Sequence, residues 1–485
     1  MGVSARWVKF FFWLYLLFLI VADGTVTNPA DPDLWHRLAL GEALAQTGHF
    51  PDGDVFSYLS DYTHIADHEW GSALIFYGLY REFGLNVFVV VKLVTLAITL
   101  ILVVRAGLQD RRPSLFLAAF YALILLVLLP SFQSTVRCMT FTHIFLALWL
   151  CWFQSERRGR TIPAWWYGLS MVFWANLHGG FAIGLVWLFL VGAIEFVCGN
   201  AWRPWAVRLG VCSLVSLINP FGWQLWVSTV RALTTPRHGF GEWAVVSWWH
   251  EPNSYLAYKI LLLGLIVAFA ILLRNQGWRR IDHTGLLLLG VFVVISLTSG
   301  RQTSLFALVA GALVPSYFPR DPNFDEDFHP LRRLGLMGLR STAVIVPFFM
   351  ALFFLPGAGL MLEYPSVSSP VGAVQFLQQK KVEGNLLVPF NYGSYALWHL
   401  RGQMRVSMDG RYDLVYKPAT YQRVCNFFEG RKDWAGLLTD PLPDRRPNAI
   451  LMPVSADVFR KMKERTDWRE VWHDPTDAVF LPVGK

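Results

Sequence analysis

The sequence predicts a polytopic α-helical membrane protein of about eleven transmembrane helices with a C-terminal extracytoplasmic α/β domain, and three observations carry that expectation. Of the 485 residues, 54% are hydrophobic and only 16% are charged, against roughly 25% charged in soluble domains. Apolar runs such as 114–130 approach the ~20 residues that cross a bilayer. From about residue 365 the pattern changes to short β-like runs separated by amphipathic helical stretches, the alternation of a small α/β domain.

The spans fall at roughly 9–22, 86–106, 114–130, 140–153, 162–177, 180–198, 205–218, 255–273, 284–299, 302–318 and 341–361. Positive charge then sorts the loops. One set carries Arg6 and Lys9; Arg105, Arg111 and Arg112; Arg157, Arg158 and Arg160; Arg203 and Arg208; Arg274, Arg279 and Arg280; and Arg320, Arg332, Arg333 and Arg340. The short loops opposite carry little more than Arg137, Arg231, Arg237 and Arg301. Lysine and arginine favour the cytoplasmic side, so the N-terminus is expected inside and the first loop outside. An odd number of spans places the C-terminal domain outside as well. The net charge of +8 is thus an orientation signal and does not point to nucleic acid. Arg6 and Lys9 precede the first apolar run as in a signal peptide, but Val21-Ala22-Asp23-Gly24 lacks the small-residue cleavage pattern, so this span is read as a retained anchor. The domains expected are 1–364, a membrane domain whose first extracytoplasmic loop is 23–85, and 365–485, a soluble α/β domain.

Cys138, Cys151, Cys198, Cys212 and Cys425 show no CxxC spacing and read as small hydrophobes. In the C-terminal domain, β-like runs lie at 385–390, 404–409, 448–453 and 478–482, with helices at about 415–429 and 456–465. The charged segment 320–333 reads as a solvated cytoplasmic loop.

The first loop is where polar chemistry concentrates. Residues 33–48 read as an amphipathic helix with Asp33 at the N-cap, and about 69–83 as a second, with Leu74, Ile75, Leu79 and Phe83 on one stripe. Such helices lie in the membrane interface. They would hold Asp31, Asp33, His68 and Glu69 near the bilayer surface. A carboxylate there can take the proton of a hydroxyl attacking a lipid-linked electrophile; the plainer reading is a cap and a turn residue.

The same outer surface carries Arg137, the segment Trp174-Ala175-Asn176-Leu177-His178-Gly179-Gly180-Phe181, and Arg301. Arginine can bind a phosphate bidentately, or it can snorkel to headgroups. Between the seventh and eighth spans, Trp223, Trp226, Glu242, Trp248 and Trp249 suggest an interfacial helix or a sugar- or lipid-docking surface. Lys92 and Glu195 lie towards span ends, and no acidic chain crosses the midplane as proton-coupled transport would require. Asp409 and Arg411 read as a turn and a surface ion pair, or as binding residues.

Several of these segments resemble the integral-membrane glycosyltransferases of the GT-C superfamily, particularly a bacterial group. The resemblance rests on Asp31-Pro32-Asp33-Leu34-Trp35-His36, on residues 48–58, on His68-Glu69-Trp70, on residues 174–181, on Asn219-Pro220-Phe221-Gly222-Trp223 and on Met408-Asp409-Gly410-Arg411-Tyr412-Asp413. In that family an acidic residue just after the first span acts as base or metal contact, a role that would fall on Asp33, with Asp31 next. Many relatives carry an Asp-Glu pair, whereas Leu34 follows Asp33 here. Some members use a second acidic motif with a divalent metal; no counterpart is found, so magnesium or manganese is a candidate cofactor and its ligands are unknown.

The resemblance implies transfer of a sugar from a polyprenyl-phosphate donor to an extracytoplasmic glycan, lipid or protein acceptor, in a bacterial inner membrane among membrane lipids. Arg137 and Arg301 would contact the phosphate and His178 would line the site, with His36, His68, Glu69, Asn176 and Glu242 completing the substrate-contacting set. Two alternatives stay open: a non-catalytic scaffold subunit of the same fold, and a transporter or flippase of lipid-linked glycans.

Overall fold

Long apolar stretches without internal proline form helices, and polar turn-rich segments break them; the described chain follows that rule closely. The computed structural model describes residues 5–26, 28–51, 53–109, 115–133, 135, 137–235, 241–251, 253–276, 281–317, 361–431 and 433–484. In chain order the helices are α1 (Ala5–Val26), α2 (Pro32–Thr47), α3 (Trp70–Phe83), α4 (Val87–Leu108), α5 (Leu115–Leu128), α6 (Met139–Glu156) and α7 (Ala164–Leu177). Next come α8 (Phe181–Val197), α9 (Arg203–Val215), α10 (Gln224–Thr234), α11 (Leu256–Gln276), α12 (His283–Thr298) and α13 (Thr303–Leu313). The chain divides into two units: Met1–Asn28, Phe88–Ile218 and Arg237–Met361, and Pro29–Val87, Asn219–Pro236 and Leu362–Lys485.

The first unit is helical. Helices α1, α4 to α9 and α11 to α13 coincide with the predicted spans up to residue 318. The predicted span 341–361, apart from its last residue, and the loop 320–333 lie outside the described residues, as do Arg111, Arg112, Arg237, Arg279 and Arg280. Among the described residues, two helices are long and apolar enough to cross a membrane unaided, Val87–Leu108 and Leu256–Asn275; others, such as Phe181–Val197 and His283–Thr298, are shorter. At the centre, every residue of α13 is buried. Its small side chains let neighbours approach closely: Tyr121 on α5 donates to the Gly311 carbonyl at 3.1 Å, and Gly107 on α4 packs directly on Gly311. Buried indoles find acceptors on the next helix, Trp149 on Ser170 at 2.8 Å and Trp174 on Thr142 at 2.9 Å.

The second unit joins the first loop, α10 and the C-terminal residues. Its later elements are α14 (Val371–Gln379), β1 (Gly384–Leu387), α15 (Phe390–His399), β2 (Met404–Val406), α16 (Tyr412–Val415), α17 (Pro418–Phe428), β3 (Ala449–Pro453), α18 (Val458–Lys463), β4 (Trp468–His473) and β5 (Asp477–Pro482). The strands form one sheet in the order β2-β1-β3-β5-β4. It is parallel on one side, with Leu386 opposite Val406 and Ala449, and antiparallel on the other, with Leu451 opposite Val479. A short bridge pairs Ser57 of the first loop with Val406 of the edge strand β2. The sequence had placed that loop with the membrane helices; its contacts lie with this sheet.

Two local expectations change here. Helix α2 is not an interfacial helix with an outer polar face: residues Leu34 to Gly41 are all buried, Arg37 included. A Cβ on Gly41 would collide with the Ala73 carbonyl of α3, and Trp35 sits between Tyr364, Tyr395 and His399 at ring distances of 5.9, 5.3 and 5.2 Å. Helix α3 does keep part of its apolar stripe outward, with Ile75 and Phe83 exposed while Ala73 and Phe76 are buried. Helix α10 is the stronger interfacial case, exposing Val227, Val230 and Leu233 along one face and Trp223 just before it.

Candidate active site

The N-terminus of α2 is built by two aspartates with different duties. Pro32 opens the helix, where its missing N–H costs nothing, and the Asp31 side chain accepts the Asp33 N–H at 2.9 Å. The N-cap is therefore Asp31 and not Asp33. Asp31 is 1% exposed. Asp33 lies in the first helical turn and is exposed.

Directly against Asp33 runs the loop 408–411. Gly410 packs so tightly that a Cβ there would lie 2.5 Å from Asp33 Oδ1 and 2.8 Å from His36 Cε1. Ser394 on α15 accepts the Gly410 N–H at 2.9 Å and contacts His36 Nδ1 at 3.1 Å. The Ser394 hydroxyl, with one proton and two lone pairs, can meet Nδ1 as donor or as acceptor. His36 Nε2 is buried with no hydrogen-bond partner among the described residues. Burial first, then the neighbouring Arg37 guanidinium, hold the ring well below the usual histidine range, so it stays neutral.

Asp409 and Arg411 are not a surface pair: they are 0% and 5% exposed. Arg411 donates to Asp409 through Nε at 2.8 Å and Nη2 at 2.6 Å, and Nη2 also reaches both Asp54 oxygens at 3.1 Å. Tyr416 OH donates to Asp409 Oδ2 at 3.1 Å. Burial alone would raise the Asp409 carboxyl, but the Arg411 charge and hydrogen bonds outweigh it and lower it to about 2. The loop is thereby clamped to the first loop at Asp54, and Gly410 is fixed against Asp33.

A second buried ion cluster holds α2 to the start of α3. Arg37 meets Asp67 at 2.6 Å and Glu69 at 2.8 Å, and Asp67 takes the Glu69 N–H at 2.8 Å. His68 Nε2 stands 4.0 Å from Glu69. Glu69 thus spends charge on Arg37, a binding partner that spacing alone does not reveal.

In the helical unit, Arg137 and Arg301 share one carboxylate. Arg137 Nη1 pairs with Glu242 Oε2 and Arg301 Nη1 with Oε1 at 3.2 Å, while the Arg301 guanidinium lies 4.9 Å from the Trp243 ring centre. Two guanidiniums held beside one carboxylate leave the group net positive. His178 is buried at the α7–α8 turn, where Nδ1 accepts the Gly180 N–H at 2.9 Å and meets the Thr142 hydroxyl at 2.7 Å. Asn176 donates to the Val172 and Ile218 carbonyls at 2.7 and 2.9 Å, tying α7 to the end of α9.

Among the described residues no three His, Cys, Asp or Glu side chains come together as a metal site. No step is assigned to a divalent ion.

No protein-family model matches the sequence, and no curated protein matches it. Solved structures do match by fold. The arabinofuranosyltransferase AftD from Mycobacteria superposes with a TM-score of 0.51 at 13% identity, covering 99% of this chain and 40% of AftD. ArnT from Cupriavidus metallidurans, bound to undecaprenyl phosphate, gives 0.50 at 14% identity over 99% of both chains. The chain shares the fold of these two proteins. At such identities the likeness is one of fold, a polytopic helical membrane fold. The chain spans less than half the length of AftD and nearly all of ArnT.

Of the residues named from sequence, the structure gathers Asp31, Asp33 and His36 at one helix start, His68 and Glu69 around Arg37, and Arg137, Glu242 and Arg301 in one ion cluster. Sequence reasoning missed Ser394 and the part played by Asp54 and Gly410. The last two lie in segments that carried the family resemblance; Ser394 has no signal in the sequence.

Proposed function

We propose that this protein is a polyprenyl-phosphate-dependent glycosyltransferase of the bacterial inner membrane, with its N-terminus cytoplasmic and its chemistry on the outer side. The observation that carries the reading is the Asp33 carboxylate: exposed, fixed in the first turn of α2, and backed by Gly410 and neutral His36. Asp33 takes the proton of an acceptor hydroxyl as its oxygen attacks the anomeric carbon. The bond from that carbon to the phosphate oxygen breaks, configuration inverts, and the polyprenyl phosphate departs with the electron pair. A phosphate is already a good leaving group, so no strong acid is required. Asp31, buried in its capping role, positions Asp33.

Arg137 and Arg301 are assigned to the donor phosphate. Glu242 holds the two guanidiniums side by side, and planar guanidinium suits bidentate phosphate recognition. His178 and His68 are each assigned as substrate contacts. The fold shared with the arabinofuranosyltransferase AftD and with ArnT bound to undecaprenyl phosphate supports the general reading; sugar and acceptor are left to experiment.

The test uses purified protein in liposomes with a panel of undecaprenyl-phosphate monosaccharides and cell-envelope acceptor extracts. Wild type should release undecaprenyl phosphate in step with sugar transfer, Asp33→Asn should transfer about 10²–10⁴-fold more slowly, and Arg301→Ala should raise the donor KM. A fully active Asp33→Asn protein sinks the catalytic assignment.

A further inference from the structure

Beside the loop that backs Asp33, the second unit holds a cavity of about 470 Å³, within the ~300–1,000 Å³ of small-molecule sites. Three cations line it, Arg405, Lys417 and Arg445, with hydroxyls from Ser60 and Thr63 and the ring of Tyr62 among its walls. Of its two carboxylates, only Asp54 is paired with a cation. Asp54 accepts both contacts from Arg411 at 3.1 Å, and Asp61 accepts the Lys417 backbone N–H at 2.6 Å. The cations are not matched in the same way. Lys417 Nζ and the Arg445 guanidinium enter no hydrogen bond or ion pair among the described residues, although Arg445 lies within charge range of Asp440, which Arg423 already pairs, and Arg405 reaches only the neutral Asn385 amide oxygen at 3.2 Å. The cavity is therefore polar and hydroxyl-rich, with three cations against two carboxylates, one of which Arg411 occupies.

Its position follows from a chain of contacts. Gly410 abuts Asp33 and His36; the next residue, Arg411, clamps Asp54; and Asp54 lines the cavity. One four-residue loop, 408–411, thus connects the proposed base to the cavity wall.

We propose that this cavity is a subsite for an anionic saccharide, one bearing a phosphate or carboxylate group, within the acceptor glycan. The Ser60 and Thr63 hydroxyls suit a sugar, and arginine and lysine side chains without an ion-pair partner suit its anionic substituent. The subsite holds the acceptor while a neighbouring hydroxyl is presented to Asp33. This inference rests on the transferase reading above.

The experiment measures binding to the full chain in nanodiscs by isothermal titration and saturation-transfer NMR. The probes are trigalacturonate, glucose 1-phosphate, neutral maltotriose and inorganic phosphate. At least one anionic saccharide should bind more tightly than maltotriose and than phosphate alone, the two arms telling carboxylate from phosphate. Lys417→Ala/Arg445→Ala should weaken that binding at least about tenfold, whereas the charge-keeping Lys417→Arg/Arg445→Lys should retain it. Equal binding of maltotriose, equal or tighter binding of phosphate alone, or a double alanine variant that binds as wild type overturns the proposal. Asp33→Asn should bind like wild type yet not transfer. If Asp33→Asn still transfers, the base assignment fails independently of the cavity; if only the binding predictions fail, the cavity alone is misassigned.

Discussion

Gly410 holds its backbone against the Asp33 carboxylate so closely that any side chain at 410 would displace it: a Cβ would lie 2.5 Å from Oδ1. Two segments separated by most of the chain thus meet at one carboxylate. Gly410→Ala should cut transfer at least tenfold, since small misplacements of a reacting group are costly. The same Cβ would lie 2.8 Å from the buried His36 ring, so the variant should lose stability as well. Activity and thermal unfolding measured on the same purified variant separate the two effects, and an active Gly410→Ala enzyme would remove positioning of Asp33 from the account.

Asp31 and Asp33 should separate cleanly. Asp31→Ala removes a helix cap and should cost about 0.5–2 kcal/mol of stability, lowering the unfolding midpoint. Asp33→Asn should leave that midpoint near wild type while abolishing most transfer. Unfolding midpoints of both variants at matched detergent concentration check this.

The Asp54–Arg411–Asp409 cluster should behave as a unit. Arg411→Ala leaves two buried carboxylates uncompensated and should destabilise by about 3–5 kcal/mol. With the Asp409 carboxyl at about 2 in the folded protein against the ordinary 3.8, its contribution is present above the ordinary value and lost as pH falls through the folded one. Unfolding midpoints between pH 5 and pH 2 should therefore drop less steeply in Asp409→Asn than in wild type.

Two histidines give an opposite handle at milder pH. His36 is held neutral by burial and by Arg37, and His399 is lowered to about 4, by burial first and then Arg401. The unfolded chain takes these protons near pH 6.5 and the folded one does not, so stability should be full above that value and fall below it. Each should contribute up to about 1.4 kcal/mol per pH unit, ending near pH 4 for His399. A His36→Gln/His399→Gln protein should show a flatter stability profile from pH 7 to pH 4; an unchanged slope would contradict the buried neutral state.

How much of this could be read beforehand depends on the range of the interactions. The helices of the first unit follow from apolar runs and β1, β2, β3 and β5 from short apolar stretches, because both are local patterns. Strand β4 escaped notice: Trp468-Arg469-Glu470-Val471-Trp472-His473 is an edge strand with little apolar signature. Helix periodicity places Arg37 on a polar face, while its partners Asp67 and Glu69 lie about thirty residues on. Likewise, Asp409 and Arg411 look like a surface pair until Asp54, Tyr416 and the sheet close over them. Asp33 and His36 were legible as candidates from their place after the first span, but not the glycine and serine packed against them.

The most direct measurement is the envelope glycan and lipid profile, by mass spectrometry, of a deletion strain complemented with wild type or Asp33→Asn at matched membrane levels. The account predicts that one sugar residue disappears on deletion, returns with wild type and stays absent with Asp33→Asn. Full restoration by Asp33→Asn would contradict an aspartate-dependent transferase and favour a scaffold or transporter built on the same fold.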